Sequence, residues 1–210
     1  MLSAVIWDCD GVLVDSEPLA DEIWGRVLAQ RGYALTAEDA AACRGMSDVA
    51  FHAYLSDRAD LLPYDAHMAA IDALRVPIYE ERLEAFPDAA RAVRELVAHG
   101  IPMGVASSSR REAVDHKLAL TGLGRFITAV VGGDEVATGK PAPDVYLAAA
   151  DRLGIAPASC IAVEDAELGA EAAHAAGMRV VMVRRDGSLS ADHATVTEVT
   201  ADLILSWMGR

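Results

Sequence analysis

Two aspartates near the start of the chain stand in a pattern that could do chemistry. Asp8 and Asp10 follow a short apolar run, with a single cysteine between them. In an extended chain alternate side chains point the same way, so these two carboxylates would lie on one side. Carboxylates held together repel unless a cation is near or one is protonated. Both conditions suit phosphoryl transfer, in which Asp8 would attack phosphorus and Asp10 would protonate the leaving oxygen and then activate water.

A second acidic pair, Glu164 and Asp165, follows another apolar run much later in the chain. Carboxylate oxygens are the ligands that Mg²⁺ takes in proteins, so this pair and Asp8 could form a magnesium site. Taken alone, the pair could equally begin the next helix, where acidic residues suit the helix dipole.

Three serines and a lysine add groups that could hold a phosphate. Ser107, Ser108 and Ser109 lie between a predicted strand and a predicted helix, where hydroxyl and free N–H groups bind phosphate oxygens or cap the helix. Lys140 lies in a Gly-Lys-Pro loop and could bridge the nucleophile and the phosphate, although a lone lysine is usually a surface residue.

The elements that must position these residues follow from the apolar pattern. Strands are predicted at residues 2–7, 101–106, 129–131, 160–163 and 179–183, and helices at residues 87–99, 110–120, 143–153 and 167–176. Alternating strands and helices predict an α/β fold, a parallel sheet with helices on both faces. Ligands bind at the carboxyl ends of such strands, so one sheet edge would collect all the polar groups above.

Residues 15–85 have a different pattern, with few glycines and prolines and with apolar residues at helical spacing. Thr36 and Ser47 are predicted to cap two of its helices, and the last helix is predicted at residues 66–84. Pro77 is expected to kink or split that helix. We therefore predict a helical cap domain at residues 15–85, inserted into a core domain formed by residues 1–14 and 86–210.

The same segments, in the same order, resemble the four motifs of the haloacid dehalogenase superfamily. The segment DCDGVLVDS at residues 8–16 resembles the first motif, and VASSS at 105–109 resembles the second. GKPAPD at 139–144 resembles the third and VED at 163–165 the fourth. The resemblance covers nearly the whole chain. It implies a Rossmann-like core, a small helical cap, Mg²⁺ as cofactor and an aspartyl-phosphate intermediate.

The resemblance also implies roles for single residues. Asp8 would be the nucleophile and Asp10 the general acid and base. The phosphate would be bound by Ser107, Ser108 and Lys140. The metal site would comprise Asp8, Asp10 through its carbonyl, Asp165 and, close by, Glu164. Substrate contacts from the cap would come from Arg44, Gly45 and Ser47.

Within the superfamily, the chain is similar to sugar-phosphate phosphatases and β-phosphoglucomutases. Asp10 argues against a dehalogenase, which needs no acid for its leaving group. Mutases of this kind hold a second phosphate with an arginine after a Gly-x-Ser turn, whereas Asp48 stands there in this chain, with Arg44 and Arg75 as nearby cations. We predict a phosphatase acting on a small phosphorylated metabolite, a sugar phosphate, with a mutase as the alternative.

Other classes of protein fit less well. Phosphate-receiver switches use similar side chains, but their acidic pair precedes the phosphoacceptor and they lack a helical insert. The net charge of −14 would repel nucleic acid and anionic membranes. The first residues of the sequence do not have the pattern of a signal peptide, so we expect none, and no apolar stretch approaches ~20 residues. Its three cysteines form no CxxC pair, which favours free thiols and a cytoplasmic location. We expect a monomer or weak homodimer.

Overall fold

The computed structural model describes residues 2–190 and 192–209. Within them, six strands form one parallel sheet in the order β3-β2-β1-β4-β5-β6. The strands are β1 (Ala4–Trp7), β2 (Met103–Ala106), β3 (Ala129–Val131), β4 (Cys160–Glu164), β5 (Arg179–Val183) and β6 (Ala194–Val196). The helices are α1 (Glu17–Ala29), α2 (Ala37–Cys43), α3 (Asp48–Ser56), α4 (Tyr64–Arg82), α5 (Pro87–Ala98), α6 (Arg111–Leu120), α7 (Asp144–Leu153), α8 (Glu167–Ala175) and α9 (Ala201–Met208).

The central strand β1 is buried along its whole length because helices cover both faces of the sheet. Its side chains alternate between two hydrophobic clusters. Val5 and Trp7 pack in the cluster that includes α5, α6 and α9, whereas Ala4 and Ile6 pack in the cluster that includes α7 and α8. The predicted α/β fold with a parallel sheet is confirmed.

The order of the strands places a ligand-binding crevice beside β1. After β1 the chain adds β2 and β3 on one side and then β4 to β6 on the other. Trp7, the last residue of β1, is paired with Val105 on one side and with Val163 on the other. Ligands bind at such a switch point, outside the carboxyl ends of the strands. The residues that follow Trp7, Val105 and Val163 therefore surround one crevice.

Helices α1 to α4 come between β1 and β2 in the chain and form the helical cap. They pack around a hydrophobic cluster of their own, which includes Ile23, Phe51 and Ile71. Thr36 and Ser47 cap α2 and α3 as predicted, by accepting hydrogen bonds from backbone N–H groups 3.1 and 3.2 Å away. The cap is confirmed as part of the fold, while the exact domain boundaries stay a prediction.

Of the two outcomes expected at Pro77, the split is wrong, because α4 runs continuously through it. A kink there stays a prediction. Proline removes one N–H donor, and the carbonyl four residues earlier, at Ala73, loses its partner. Pro77 and Ala73 are both exposed, so water can bind that carbonyl. Buried residues on either side, Ile71 and Ile78, keep the helix packed.

Two further findings concern the sequence predictions on location. Cys9, Cys43 and Cys160 are free thiols, as predicted. Among the described residues, no helix has both the length and the apolar surface that crossing a membrane requires. The cellular compartment stays a prediction.

Candidate active site

Three carboxylates meet at the carboxyl ends of β1 and β4. One oxygen each from Asp8, Glu164 and Asp165 lies within 4.8 Å of the others. Two glycines make room for them, since a Cβ at Gly11 would overlap the Asp165 carboxylate and a Cβ at Gly169 would overlap that of Glu164. Gly11 also has a positive φ of 76°, which a side chain would disfavour. The predicted convergence of the two acidic segments is what the structure shows.

Lys140 lies behind these carboxylates rather than on the surface. Its side chain is only 2% exposed, and Nζ is 2.5 Å from both Asp8 Oδ1 and Glu164 Oε1. Burial disfavours the ammonium, but the charges of Asp8 and Glu164 outweigh it and raise the pKa of Lys140. The lysine therefore stays charged and fixes the orientation of the Asp8 carboxylate.

Glu164 uses both of its oxygens within the protein. Oε1 accepts hydrogen bonds from Lys140 and from the Tyr146 hydroxyl at 2.7 Å. Oε2 accepts from the backbone N–H groups of Asp165 and Ala166, at 3.0 and 3.2 Å, just ahead of α8. These contacts fit a carboxylate that positions Lys140.

The electrostatics of the cluster favour a bound cation. Burial raises the pKa of Asp8, and the positive charge of Lys140 opposes this effect. The negative charges of Glu164 and Asp10 raise the pKa of Asp8 further. Burial also raises the pKa of Asp165, as do Glu164 and Asp8. Three carboxylates thus share one ammonium, and a divalent cation would stabilise their ionised forms. An all-oxygen donor set of this kind fits Mg²⁺.

Asp10 lies in a separate hydrogen-bond network on the other side of Asp8. Its Oδ1 accepts from the Ser16 hydroxyl and from Lys117 Nζ at 2.5 Å. Its Oδ2 accepts from the Ser109 hydroxyl at 2.9 Å and from the Ser107 hydroxyl at 3.5 Å. Burial alone would raise the pKa of Asp10, but Lys117 and the hydroxyls lower it to about 2. Asp10 is therefore ionised at neutral pH in this conformation.

A cavity of about 120 Å³ lies between the sheet edge and the cap. The predicted site residues in its wall are Asp8, Asp10, Arg44, Gly45, Ser47, Ser107, Ser108, Glu164 and Asp165. Lys140 stands behind Asp8. The cavity therefore joins the acidic cluster, the Asp10 network and the cap.

The sequence of the chain matches a family of known proteins over most of its length. A family model described as haloacid dehalogenase-like hydrolase matches residues 2–177. The chain belongs to this family. The resemblance found in its four motifs is thereby confirmed.

Relatives of this haloacid dehalogenase-like hydrolase include an enzyme of Escherichia coli (strain K12), named as a fructose-1-phosphate phosphatase. It is 33% identical over 187 residues, which cover 87% of this chain and 96% of the relative. The solved structure of a hydrolase of the family from Deinococcus radiodurans, with bound phosphate and sodium, is 31% identical. Its TM-score is 0.70, and the match covers 99% of this chain and 96% of that chain.

The β-phosphoglucomutase of Clostridium difficile shares the fold, with a TM-score of 0.86 at 20% identity, over 100% of this chain and 96% of that chain. Some relatives are larger proteins. The haloacid dehalogenase-like hydrolase spans 18% and 48% of the lengths of two curated relatives from Arabidopsis thaliana.

Lys117 is the main site residue of this haloacid dehalogenase-like hydrolase that sequence reasoning missed. It lies on α6, is only 3% exposed, and donates to Ser109 Oγ at 3.0 Å as well as to Asp10. Two signals pointed to it. Lys117 shares a buried helical stripe with Val114 and Leu118, and the chain has only two lysines among its 18 basic residues. Both lysines are buried in the site.

The serines of this haloacid dehalogenase-like hydrolase play different parts. Of the two alternatives for the serines, the helix cap is wrong for Ser108 and Ser109, because α6 begins after Arg110 and has no side-chain cap. The Ser109 hydroxyl instead donates a hydrogen bond to the Asp10 carboxylate. The Ser108 hydroxyl donates to the Gly45 carbonyl of the cap at 2.8 Å. Ser107 lies beside Asp10 and is 1% exposed.

The cap loop of this haloacid dehalogenase-like hydrolase lies directly against the core. A Cβ at Gly45, where φ is 79°, would be 3.0 Å from the Ala166 Cβ, so only glycine fits this approach comfortably. Ser47 uses its hydroxyl to cap α3. Arg44 is paired with Glu17 and Asp21. The predicted cap residues thus line the cavity, and each of them already has a polar partner.

Proposed function

We propose that this haloacid dehalogenase-like hydrolase is a Mg²⁺-dependent phosphatase that releases phosphate from a small phosphorylated metabolite, a sugar phosphate. The observation that carries the proposal is the meeting of Asp8, Lys140, Asp165 and Asp10 at one sheet edge beside a small cavity. The name of the Escherichia coli relative supports a sugar phosphate as substrate. We further propose a cytoplasmic location and a monomer or weak homodimer.

Asp8 and Asp165 would hold the metal through their carboxylates, together with the backbone carbonyl of Asp10. Glu164 would act next to the metal by fixing Lys140, because both of its oxygens are already bonded. When bound, Mg²⁺ would offset the charge of the carboxylates and of the phosphate oxygens.

In the first step an Asp8 oxygen would form a bond to phosphorus as the bond to the leaving oxygen breaks. Asp10 would give that oxygen a proton, so the free alcohol departs and a phosphoaspartate is left. A water molecule would then attack the phosphoaspartate. Asp10 would take its proton, and phosphate would leave with Asp8 restored.

The ion pair of Asp10 with Lys117 suits only part of this cycle. A carboxylate with a pKa of about 2 is ready to act as the base in the second step. To act as the acid, Asp10 has to leave Lys117 and take up a proton when substrate enters. We therefore propose that Lys117 and Ser109 hold the Asp10 side chain in place whenever it is ionised.

Lys140, Ser107 and Ser108 would bind the phosphate, near the start of α6, where free N–H groups favour anions. Ser108 now donates to Gly45, so a phosphate contact would require that cap bond to break.

We also propose residues 15–85 as a cap domain and residues 1–14 and 86–210 as its core. Closure of the cap would exclude bulk water during catalysis.

A screen of phosphorylated sugars tests the function. We expect Mg²⁺-dependent release of phosphate from at least one sugar phosphate, a loss of more than about 100-fold in EDTA, and recovery when Mg²⁺ is added back. Formation of glucose 6-phosphate from β-glucose 1-phosphate, without net release of phosphate, would favour the mutase instead. Full turnover in EDTA would contradict the metal requirement.

Replacing Lys117 with methionine is expected to lower kcat by about 100-fold, because Asp10 loses the partner that orients it. We expect KM to change by less than about threefold, since Asp10 acts on protons rather than on binding. Lys117→Arg keeps the positive charge and should recover part of kcat. A folded Lys117→Met protein with normal kcat would show that Lys117 has no part in positioning Asp10.

A further inference from the structure

We propose that the cap half of the cavity rejects a second negatively charged group. The substrate would then be a phosphate monoester whose organic part is small and uncharged. This inference rests on the proposed phosphatase function and adds the class of substrate.

The first cationic side chain of the cap half, Arg44, is already paired. Its Nη1 and Nη2 atoms each lie 3.1 Å from a carboxylate oxygen, one of Glu17 and one of Asp21. Both carboxylates are about two-thirds buried or more at the side chain, being 30% and 32% exposed. An anion approaching Arg44 would therefore meet the negative charges of Glu17 and Asp21, which already pair with the guanidinium group.

The second cationic side chain, Arg75, is held in the same way. Its Nη1 lies 3.0 Å from Asp72 and its Nη2 lies 3.4 Å from Asp48, and the side chain is 11% exposed. Arg110 of the core also contacts Asp72, at 2.5 Å, and Asp48, at 3.8 Å. Asp48 thus faces the cavity while it helps to hold Arg75.

The charges that line the cap half do not favour a second anion. The charged cap residues in the cavity wall are Glu17, Asp21, Arg44, Asp48 and Arg75. Three carboxylates oppose two guanidinium groups, and every guanidinium group has carboxylate partners. A second phosphate would have to break an ion pair and would leave a carboxylate unpaired beside it, which is costly in a partly buried site.

The uncharged part of the wall suits hydroxyl-bearing carbon. Trp24, Phe51 and Tyr79 offer aromatic surface, and Ser16 offers a hydroxyl group. A polyol or sugar monophosphate matches the polarity of this wall.

The test compares monophosphates with bisphosphates of the same sugar in 0.15 M salt, where long-range charge effects are screened. The substrates are fructose 1-phosphate with fructose 1,6-bisphosphate, and glucose 1-phosphate with glucose 1,6-bisphosphate. We expect kcat/KM for phosphate release to be at least tenfold higher for the monophosphate of a pair that is hydrolysed. Equal or faster turnover of the bisphosphate would overturn the inference and leave the phosphatase function standing. No release from any sugar phosphate of the screen would overturn both.

Asp48→Asn tests the cause of the discrimination. Removing this charge should reduce the monophosphate-to-bisphosphate ratio of kcat/KM by about tenfold, because one negative charge no longer repels the second phosphate. Asp57→Asn is the matched control, because Asp57 is an exposed residue at the other end of α3. It changes the net charge equally and should leave the ratio as it is. An unchanged ratio in a folded Asp48→Asn protein would contradict the role of Asp48.

Discussion

Asp8→Asn will abolish phosphate release, with kcat at least about 10⁴-fold below that of the wild type. Asparagine has nearly the same shape, but its amide is a poor nucleophile and carries no negative charge for the metal or for Lys140. Since Lys140 Nζ lies 2.5 Å from Asp8 Oδ1, the substitution also leaves Glu164, within the described ranges, as the one carboxylate in hydrogen-bond contact with Lys140. Release of phosphate at saturating substrate and Mg²⁺ measures the effect.

The matched control for Asp8→Asn is Asp151→Asn on α7, an exposed aspartate of the core. It should keep kcat within about twofold, because surface substitutions away from special features have small effects. A thermal melt of both proteins shows whether each is folded. An active Asp8→Asn protein would sink the proposed nucleophile.

Lys140→Met should remove most of the activity and also destabilise the protein. The change leaves three close carboxylates without their shared ammonium, and breaking a buried ion pair costs about 3–5 kcal/mol. For a chain of this length the melting temperature is expected to fall by about 10 °C. With the pKa of Asp8 raised further, its nucleophilic ionised form would also become scarce. Melting temperature and kcat, each measured with and without Mg²⁺, test both effects.

An exposed ion pair provides the control for Lys140→Met. Arg26 pairs with Glu22 on α1, but its side chain is 56% exposed. Arg26→Met should therefore shift the melting temperature by no more than about 2–4 °C, since exposed pairs contribute about 1 kcal/mol or less. Mg²⁺ should stabilise Lys140→Met more than the wild type, because the cation offsets the lost charge. Equal falls in melting temperature for Lys140→Met and Arg26→Met would show that the burial of Lys140 does not increase the contribution of its ion pair to stability.

The sequence predicted the parts of this fold that depend on local pattern. The apolar strands before Asp8 and Glu164 were found because each strand is buried and short. Their convergence was found because parallel strands end at one edge. The strand β6 and the helix α9 were not predicted. Of these, β6 has no fully buried residue, so its apolar pattern is weak.

Contacts between distant helices and loops could not be predicted in the same way. Lys117 was missed because a lysine in a helix is usually on the surface, and its partner Asp10 lies 107 residues earlier in the chain. The link between Arg110 and Asp72 depends on how the cap docks on the core, which no local pattern specifies. Pro77 does not split α4, because tertiary packing on both sides outweighs the local effect of proline.

The burial of both lysines means that amine-reactive reagents will find no exposed lysine on this protein. Cross-linkers and fluorescent esters aimed at lysine should therefore react slowly with both lysines. Any acylation of Lys117 or Lys140 would require the site to open, so its rate would report how often that happens. Substrate or phosphate that holds the site shut should slow this labelling.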